Sequence, residues 1–399
     1  MMLGVLGKPN VGKTTFFNAA TLLSAQVGNY PFTTVTPNMG IANVRVPCVC
    51  KEMGVTDNPS NSSCIDGNRL IPIRLVDVAG LVSGASKGRG LGNKFLDEIR
   101  QADALIHIVD ASGSSDEEGQ SCPPGSHDPV SDLEFVEQEF DAWIYGILQK
   151  DWPYIARSAE SGTRKLTAAL AEKLSGLKIG EHEINASISE LDLSKDQPNR
   201  WSKDDLFKFC RQLREISKPS LVVANKIDIG SSRDNLKMLR ETGREVVPCA
   251  AEAEVMLRRA SEKGLIKYLP GDGHFEMSSN MTGEQEKALS LVRDKILKEF
   301  GSTGVQEAIN SAYFKLLKNI VVYPVEDEKN LTDKKGRVLP DAYLVPLGST
   351  VKQLAYRVHT DLGESILYAI DAKKGTRLGV DAVLNDGDVV KIVSTAKRT

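Results

Sequence analysis

The sequence has no apolar run long enough to cross a bilayer, so no membrane partner is expected. Its first residues read directly as a strand, which leaves no room for a secretory leader. It also lacks a strong charge of either sign. The net charge is −3 over 399 residues. No global field draws such a chain onto nucleic acid, and any RNA contact has to come from a local patch. Cysteine is sparse: Cys48, Cys50, Cys64, Cys122, Cys210 and Cys249 are scattered without the spacing of a disulfide framework, so a reducing, cytoplasmic setting is expected. Three of the six fall close together, but the Cys-x-x-Cys spacing common in zinc sites is absent, and ordinary thiols are expected there. The remaining composition, 41 % hydrophobic and 26 % charged, is that of a globular chain, with length for two to three domains.

One stretch organises the rest. Gly7-Lys8-Pro9-Asn10-Val11-Gly12-Lys13-Thr14 follows the pattern Gly-x-x-x-x-Gly-Lys-Thr, in which a curled backbone points N–H groups at phosphate oxygens. The lysine supplies a point charge for the β- and γ-phosphates and the threonine a hydroxyl for Mg²⁺. Leu3 to Leu6 reads as a strand and Thr15 onward as a helix, so the helix N-terminus faces the anion. This predicts a nucleotide site built from residues 7–15, with Lys13 as the charge that assists phosphoryl transfer.

The turn-rich stretch from Gly28 to Asn38 suits a loop that responds to nucleotide. A hydroxyl there would reach Mg²⁺ when the γ-phosphate is present; Thr34 is the first candidate and Thr33 the second. Residues 47–69 are polar and irregular and read as a surface excursion. Leu70–Val76 reads as a strand, with Pro72 arguing for an edge position. It ends in Asp77-Val78-Ala79-Gly80, where Asp77 could hold Mg²⁺ through water and the Gly80 N–H could meet the γ-phosphate. Leu81 follows, where many GTPases carry a glutamine that orients water. No general base is evident. Ala104–Asp110 reads as a strand buried on both faces, with His107 in the core rather than in catalysis.

Asp128-Pro129 reads as a helix start. The spacings of Leu133, Val136, Phe140, Ile144 and Ile147, of Leu166 to Leu177, and of Leu206 to Ile216 predict a helical insertion. After a strand at Ser220–Ala224 comes Asn225-Lys226-Ile227-Asp228. Asp228 can accept from guanine N1–H and N2–H₂ together, a pair that adenine lacks. Lys226 can lie across the base, and Asn225 can tie this loop to the phosphate loop. A backbone N–H of Ala250 or Ala251 could meet guanine O6. Beyond a helical stretch, Ile320–Val325, Ala342–Pro346 and Leu384–Val393 return to strand chemistry.

These motifs resemble the Obg superfamily of GTPases and its YchF-like archaeal and eukaryotic relatives. The resemblance rests on the phosphate loop, on Asn29-Tyr30-Pro31-Phe32-Thr33-Thr34 with Pro37-Asn38-Met39-Gly40, on Asp77 to Leu81, and on Gly90 to Leu96. It implies that Thr34 is the Mg²⁺-binding threonine and that a hydrophobic Leu81 is usual. It also raises K⁺ as a charge-supplying cofactor beside Asn10. YchF-like proteins with Glu in place of the base-motif Asp favour ATP, so Asp228 implies GTP. Cys249-Ala250-Ala251 departs from the Ser-Ala pair of many relatives, which leaves the residue-level O6 assignment open. The C-terminal pattern resembles a TGS domain, a β-grasp module, and so implies ribosome or RNA contact, although Lys391, Lys397 and Arg398 are only a modest basic tail.

The expected architecture is therefore an α/β P-loop G domain in residues 1–114 and 218–252, a helical insertion in 115–217, a helical linker in 253–318 and a TGS-like domain in 319–399. The expected reaction is GTP hydrolysis to GDP and phosphate. The turnover expected is within tenfold of about 10⁻⁴–10⁻² per second, the unaided and arginine-assisted limits of switch GTPases. The alternative is an ATP-hydrolysing YchF-like regulator that binds protein partners.

Overall fold

A computed structural model describes residues 1–22, 38–78 and 99–395. Thr33, Thr34, Gly80, Leu81, the glycine-rich stretch after it, Lys397 and Arg398 lie outside the described residues. By contacts the described chain forms two units, one of residues 1–22, 38–40, 74–78 and 99–308, the other of 41–73 and 309–395.

The strands of the main sheet are β1 (Met2–Leu6), β2 (Met39–Pro47), β3 (Ser63–Ile65), β4 (Asn68–Asp77), β5 (Ala104–Asp110), β6 (Ser220–Asn225) and β7 (Val246–Pro248). Their order is β2-β4-β1-β5-β6-β7, with β3 paired to β4. β1 lies parallel between β4 and β5, and β5, β6 and β7 continue in parallel. A parallel sheet covered on both sides calls for continuous apolar strands; β1 and β5 are buried along their whole length. β4 is not an edge strand, contrary to the inference from Pro72. The β1 register begins only at Arg74, so the N–H that Pro72 lacks removes no bond from that ladder.

Helix α1 (Lys13–Thr21) follows β1, and the short α2 (Val49–Glu52) precedes β3. α3 (Pro129–Gln149), α4 (Trp152–Glu160), α5 (Leu166–Leu174), α6 (Glu181–Glu190) and α7 (Lys203–Ser217) make up the helical excursion between β5 and β6. Asp128 caps α3 by accepting the Val130 N–H, with Pro129 in the first turn, and Ser202 with Asp205 forms a capping box on α7. Val136, Phe140, Ile144, Leu170, Leu206, Phe209 and Leu213 pack with Met2, Leu6, Val76 and Leu105 in one core. A second core joins Val109, Val222 and Ala224 to α8 (Ser232–Glu241), α9 (Ala251–Glu262) and α10 (Gly283–Val292).

In the other unit, β8 (Asn319–Val325), β9 (Tyr343–Pro346), β10 (Ile366–Asp371), β11 (Thr376–Leu378) and β12 (Val389–Ser394) form a five-stranded sheet of order β9-β8-β12-β10-β11. The neighbouring strands β8 and β12 run parallel, and the other pairs are antiparallel. A helix over Val351–Val358, capped by Thr350 with Gln353, lays Val351 and Leu354 on this sheet beside Val322 and Val390. That is the β-grasp arrangement.

Candidate nucleotide site

The loop after β1 has backbone conformations that restrict its residues. Gly7 adopts φ +147°, and a Cβ there would lie 2.3 Å from the Ile108 carbonyl oxygen of β5. Gly12 adopts φ +97°, and a Cβ there would lie 2.3 Å from Asn225 Nδ2. Only glycine fits either place. Asn10, at φ 61°, takes the left-handed conformation that asparagine tolerates. Phe16 N–H donates to the Gly12 carbonyl at 2.9 Å and so starts α1. The earlier amides of that turn, at Lys13, Thr14 and Thr15, are the ones a helix N-terminus offers to an anion.

Lys13 is 9 % exposed, and its Nζ donates to the Lys8 carbonyl at 2.7 Å. Burial lowers its pKa to about 8, against the opposing pull of Asp77. Thr14 Oγ1 donates to Asp77 Oδ2 at 3.0 Å. Asp77 ends β4 beside Val5 of β1, which is what brings a carboxylate to the loop. A hydroxyl and a carboxylate converging at a helix N-terminus are the hard oxygen donors that Mg²⁺ prefers.

The side chain of Lys8 turns away from the phosphate loop. The residue is 2 % exposed, and its Nζ donates to the carbonyls of Ser115 and Asp116 and to Asp132 Oδ1, at 2.8, 2.6 and 2.8 Å. Only its backbone remains for a phosphate cradle. Asn10 Nδ2 likewise donates to the Gly119 carbonyl at 2.8 Å. Residues 112–127 therefore lie against the phosphate loop, a contact that sequence spacing could not show.

The base motif lies at the end of β6. Asn225 Nδ2 donates to the Val11 carbonyl at 2.9 Å, and its Oδ1 accepts the Ala251 N–H at 3.1 Å. One side chain thus joins the phosphate loop to the turn before α9. Asp228 is exposed, and among the described residues its carboxylate has no intramolecular partner. The O6 expectation meets an obstacle. The Ala250 N–H donates to the Thr303 carbonyl at 2.9 Å and the Ala251 N–H to Asn225, so both amides are already engaged.

Lys226, at φ 61°, places Nζ 2.7 Å from Asp110 Oδ2, an ion pair that sequence reading did not anticipate. Asp110 ends β5 and also accepts from the hydroxyls of Ser112, Ser114 and Ser115. Burial raises its pKa, but the bonds from Lys226 and the serines outweigh that and hold it below the usual range. An acid at the carboxyl end of a parallel strand was the available clue. Behind the base loop, Glu254 is fully buried and accepts from Arg258 Nε, Tyr268 OH and Thr303 Oγ1 at 2.8, 2.7 and 2.5 Å. His107 is buried in the sheet with its pKa lowered by burial to about 4, a neutral core residue as expected.

A phosphate loop on a parallel sheet, a hydroxyl–carboxylate pair and a tethered base-reading loop define a P-loop nucleotide-binding protein, here with a β-grasp module. Residues 2–131 match the family described as 50S ribosome-binding GTPase. Residues 223–327 match the Obg-like GTPase YGR210-like, G4 motif-containing domain, and 329–394 the TGS domain. The chain is 50 % identical to a GTP-binding protein of Methanocaldococcus jannaschii over 398 residues, covering 99 % of this chain and 100 % of the other. It is 29 % identical to the ribosome-binding ATPase YchF of Bacillus subtilis over 97 % of both chains. The crystal structure of a GTP-binding protein from Pyrococcus horikoshii matches with TM-score 0.79 at 41 % identity, over 99 % of this chain and 100 % of that one. The chain belongs to the YchF-like branch of the Obg-type GTP-binding proteins. No helix among the described residues is long and apolar enough to cross a membrane.

Proposed function

We propose that this protein is a slow GTP-hydrolysing switch that acts on the ribosome or on RNA. The observation that carries the guanine assignment is Asn225. It holds the base loop to the phosphate loop while Asp228 is exposed and, among the described residues, its carboxylate is unpaired. A carboxylate so placed takes guanine N1–H and N2–H₂, and adenine would leave it desolvated and unpaired.

Lys13 and the amides of residues 7–15 hold the phosphates. Thr14 and Asp77, with Thr34, would hold Mg²⁺, which neutralises charge on the β- and γ-oxygens when bound. Gly80 would report the γ-phosphate. Lys226 keeps its ammonium on Asp110, which leaves the aliphatic stem for the base plane. With leucine at position 81 and no general base, turnover belongs within tenfold of about 10⁻⁴–10⁻² per second, the rate of a timer. K⁺ beside Asn10 is a further element, and turnover in K⁺ against Na⁺ tests it. The TGS domain and the ribosome-binding names of relatives support the ribosomal reading.

The test combines competition of GTP and ATP for the purified chain with co-sedimentation with ribosomes in GDP and in a non-hydrolysable GTP analogue. Guanine preference and nucleotide-dependent sedimentation support the proposal. Equal displacement by ATP would favour the ATPase regulator that the Bacillus relative's name describes.

A further inference from the structure

We propose that Cys48, Cys50, Cys64 and Asp57 form a structural zinc site. The sequence alone favoured ordinary thiols there, for want of the Cys-x-x-Cys spacing. Cys48 is the residue before α2, Cys50 lies in its single turn, Asp57 is on the following loop and Cys64 is on β3. The fold turns these three segments toward one another, and the four ligand atoms all lie within 4.8 Å of each other. Cys48 and Cys50 are 4 % and 5 % exposed.

The separations have the dimensions of a coordination shell. With Zn–S of about 2.3 Å and Zn–O of about 2.0 Å, a tetrahedron has S···S edges of about 3.8 Å and S···O edges of about 3.5 Å. Cys50 Sγ and Cys64 Sγ are 3.9 Å apart, and Cys48 Sγ and Asp57 Oδ2 are 3.2 Å apart. A disulfide between Cys50 and Cys64 would need the sulfurs at about 2.05 Å. Three thiolates with one carboxylate make a closed, four-coordinate set of the kind that holds zinc for structure rather than catalysis.

The surroundings support the charge. Arg69 is fully buried and donates from Nη1 to Asp57 Oδ2 at 2.7 Å. Zinc and this guanidinium together offset three of the four negative charges, and Arg69 orients the carboxylate as outer-shell partners do. Residues 48–67 are mostly polar, yet they hold the segment leading into β9: Asn58 N–H donates to the Val338 carbonyl at 2.8 Å and Ser60 N–H to that of Pro340 at 2.6 Å. Arg69 Nη2 donates to the Leu339 carbonyl at 2.5 Å. Zinc would fix the excursion from within so that it presents these donors to the β-grasp module.

The experiment uses the full chain, purified reduced and without chelator, with zinc counted by plasma mass spectrometry. About one zinc per chain is expected. Cobalt(II) in its place should give thiolate-to-metal charge-transfer bands and tetrahedral visible bands. Cys64→Ser should weaken zinc binding by at least about tenfold, whereas Cys122→Ser, outside the cluster, should keep it. Because Cys64→Ser could fail to fold, the wild-type stoichiometry and cobalt spectrum decide independently. The proposal is overturned if the wild type holds no zinc and gives no thiolate–cobalt bands. It is equally overturned if folded Cys64→Ser binds zinc as tightly as the wild type, or if peptide mapping of the reduced preparation finds a Cys50–Cys64 disulfide.

Discussion

Lys8 Nζ lies 2.8 Å from Asp132 Oδ1, and both side chains are buried, at 1 % and 6 % exposure. The second residue of the phosphate loop is thus the counter-ion for the first turn of α3. Removing one member of such a pair leaves the other charge buried and costs about 3–5 kcal/mol.

Lys8→Met should therefore lower unfolding stability by about 3–5 kcal/mol, since among the described residues Asp132 then keeps the His127 ring, at 2.7 Å, as its side-chain partner. Adding Asp132→Leu should recover part of that loss. Urea unfolding of the two single variants and the double variant forms the cycle. Strict additivity would show that the pair has no coupling.

Asp228→Glu lengthens the side chain by one methylene and moves the carboxylate off the guanine edge. Losing charge-assisted bonds of about 1.5–3 kcal/mol should lower the GTP-to-ATP affinity ratio by roughly ten- to a hundredfold. Competition against a fluorescent GDP derivative measures it. An unchanged ratio would place base selection elsewhere.

The pKa of Lys13, about 8, gives two effects of opposite sign. Bound phosphate favours the ammonium form, so above about pH 8 the free protein must take up a proton to bind. GDP affinity should fall as pH rises through about 8, approaching tenfold per unit. Stability runs the other way. The folded pKa lies below the ordinary 10.5, so the unfolded chain holds more protons between about 8 and 10.5. The contribution of Lys13 to unfolding stability should therefore rise across that window. Titration calorimetry with GDP between about pH 7 and about pH 9 checks the first effect; affinity flat across that range would count against a buried ammonium at the phosphates.

The parts of this site legible in the sequence are those whose chemistry is local. Gly7, Gly12, Lys13 and Thr14 are set by one loop, and Asn225 and Asp228 by one turn, so short spacings carry them. The capping residue Asp128 is legible for the same reason. The side-chain contacts of Lys8 are not legible in the sequence because its partners, Ser115, Asp116 and Asp132, lie more than a hundred residues away. The Asp110–Lys226 pair has the same origin, since sheet order brings its members together, whereas the Cys48–Cys64 cluster is close in sequence and is assembled by the chain reversal through α2 and β3. Pro72 misled through its identity alone: a ten-residue strand can tolerate it outside the stretch that β1 pairs with.

The carbonyl of Thr303 that receives the Ala250 amide is itself moored by its hydroxyl to Glu254. The turn before α9 is thus clasped from about fifty residues downstream. A minimal nucleotide-binding fragment cut after α9 would keep every recognisable motif and still lose that clasp. Truncations meant to isolate the nucleotide-binding part should retain the chain through Gly304.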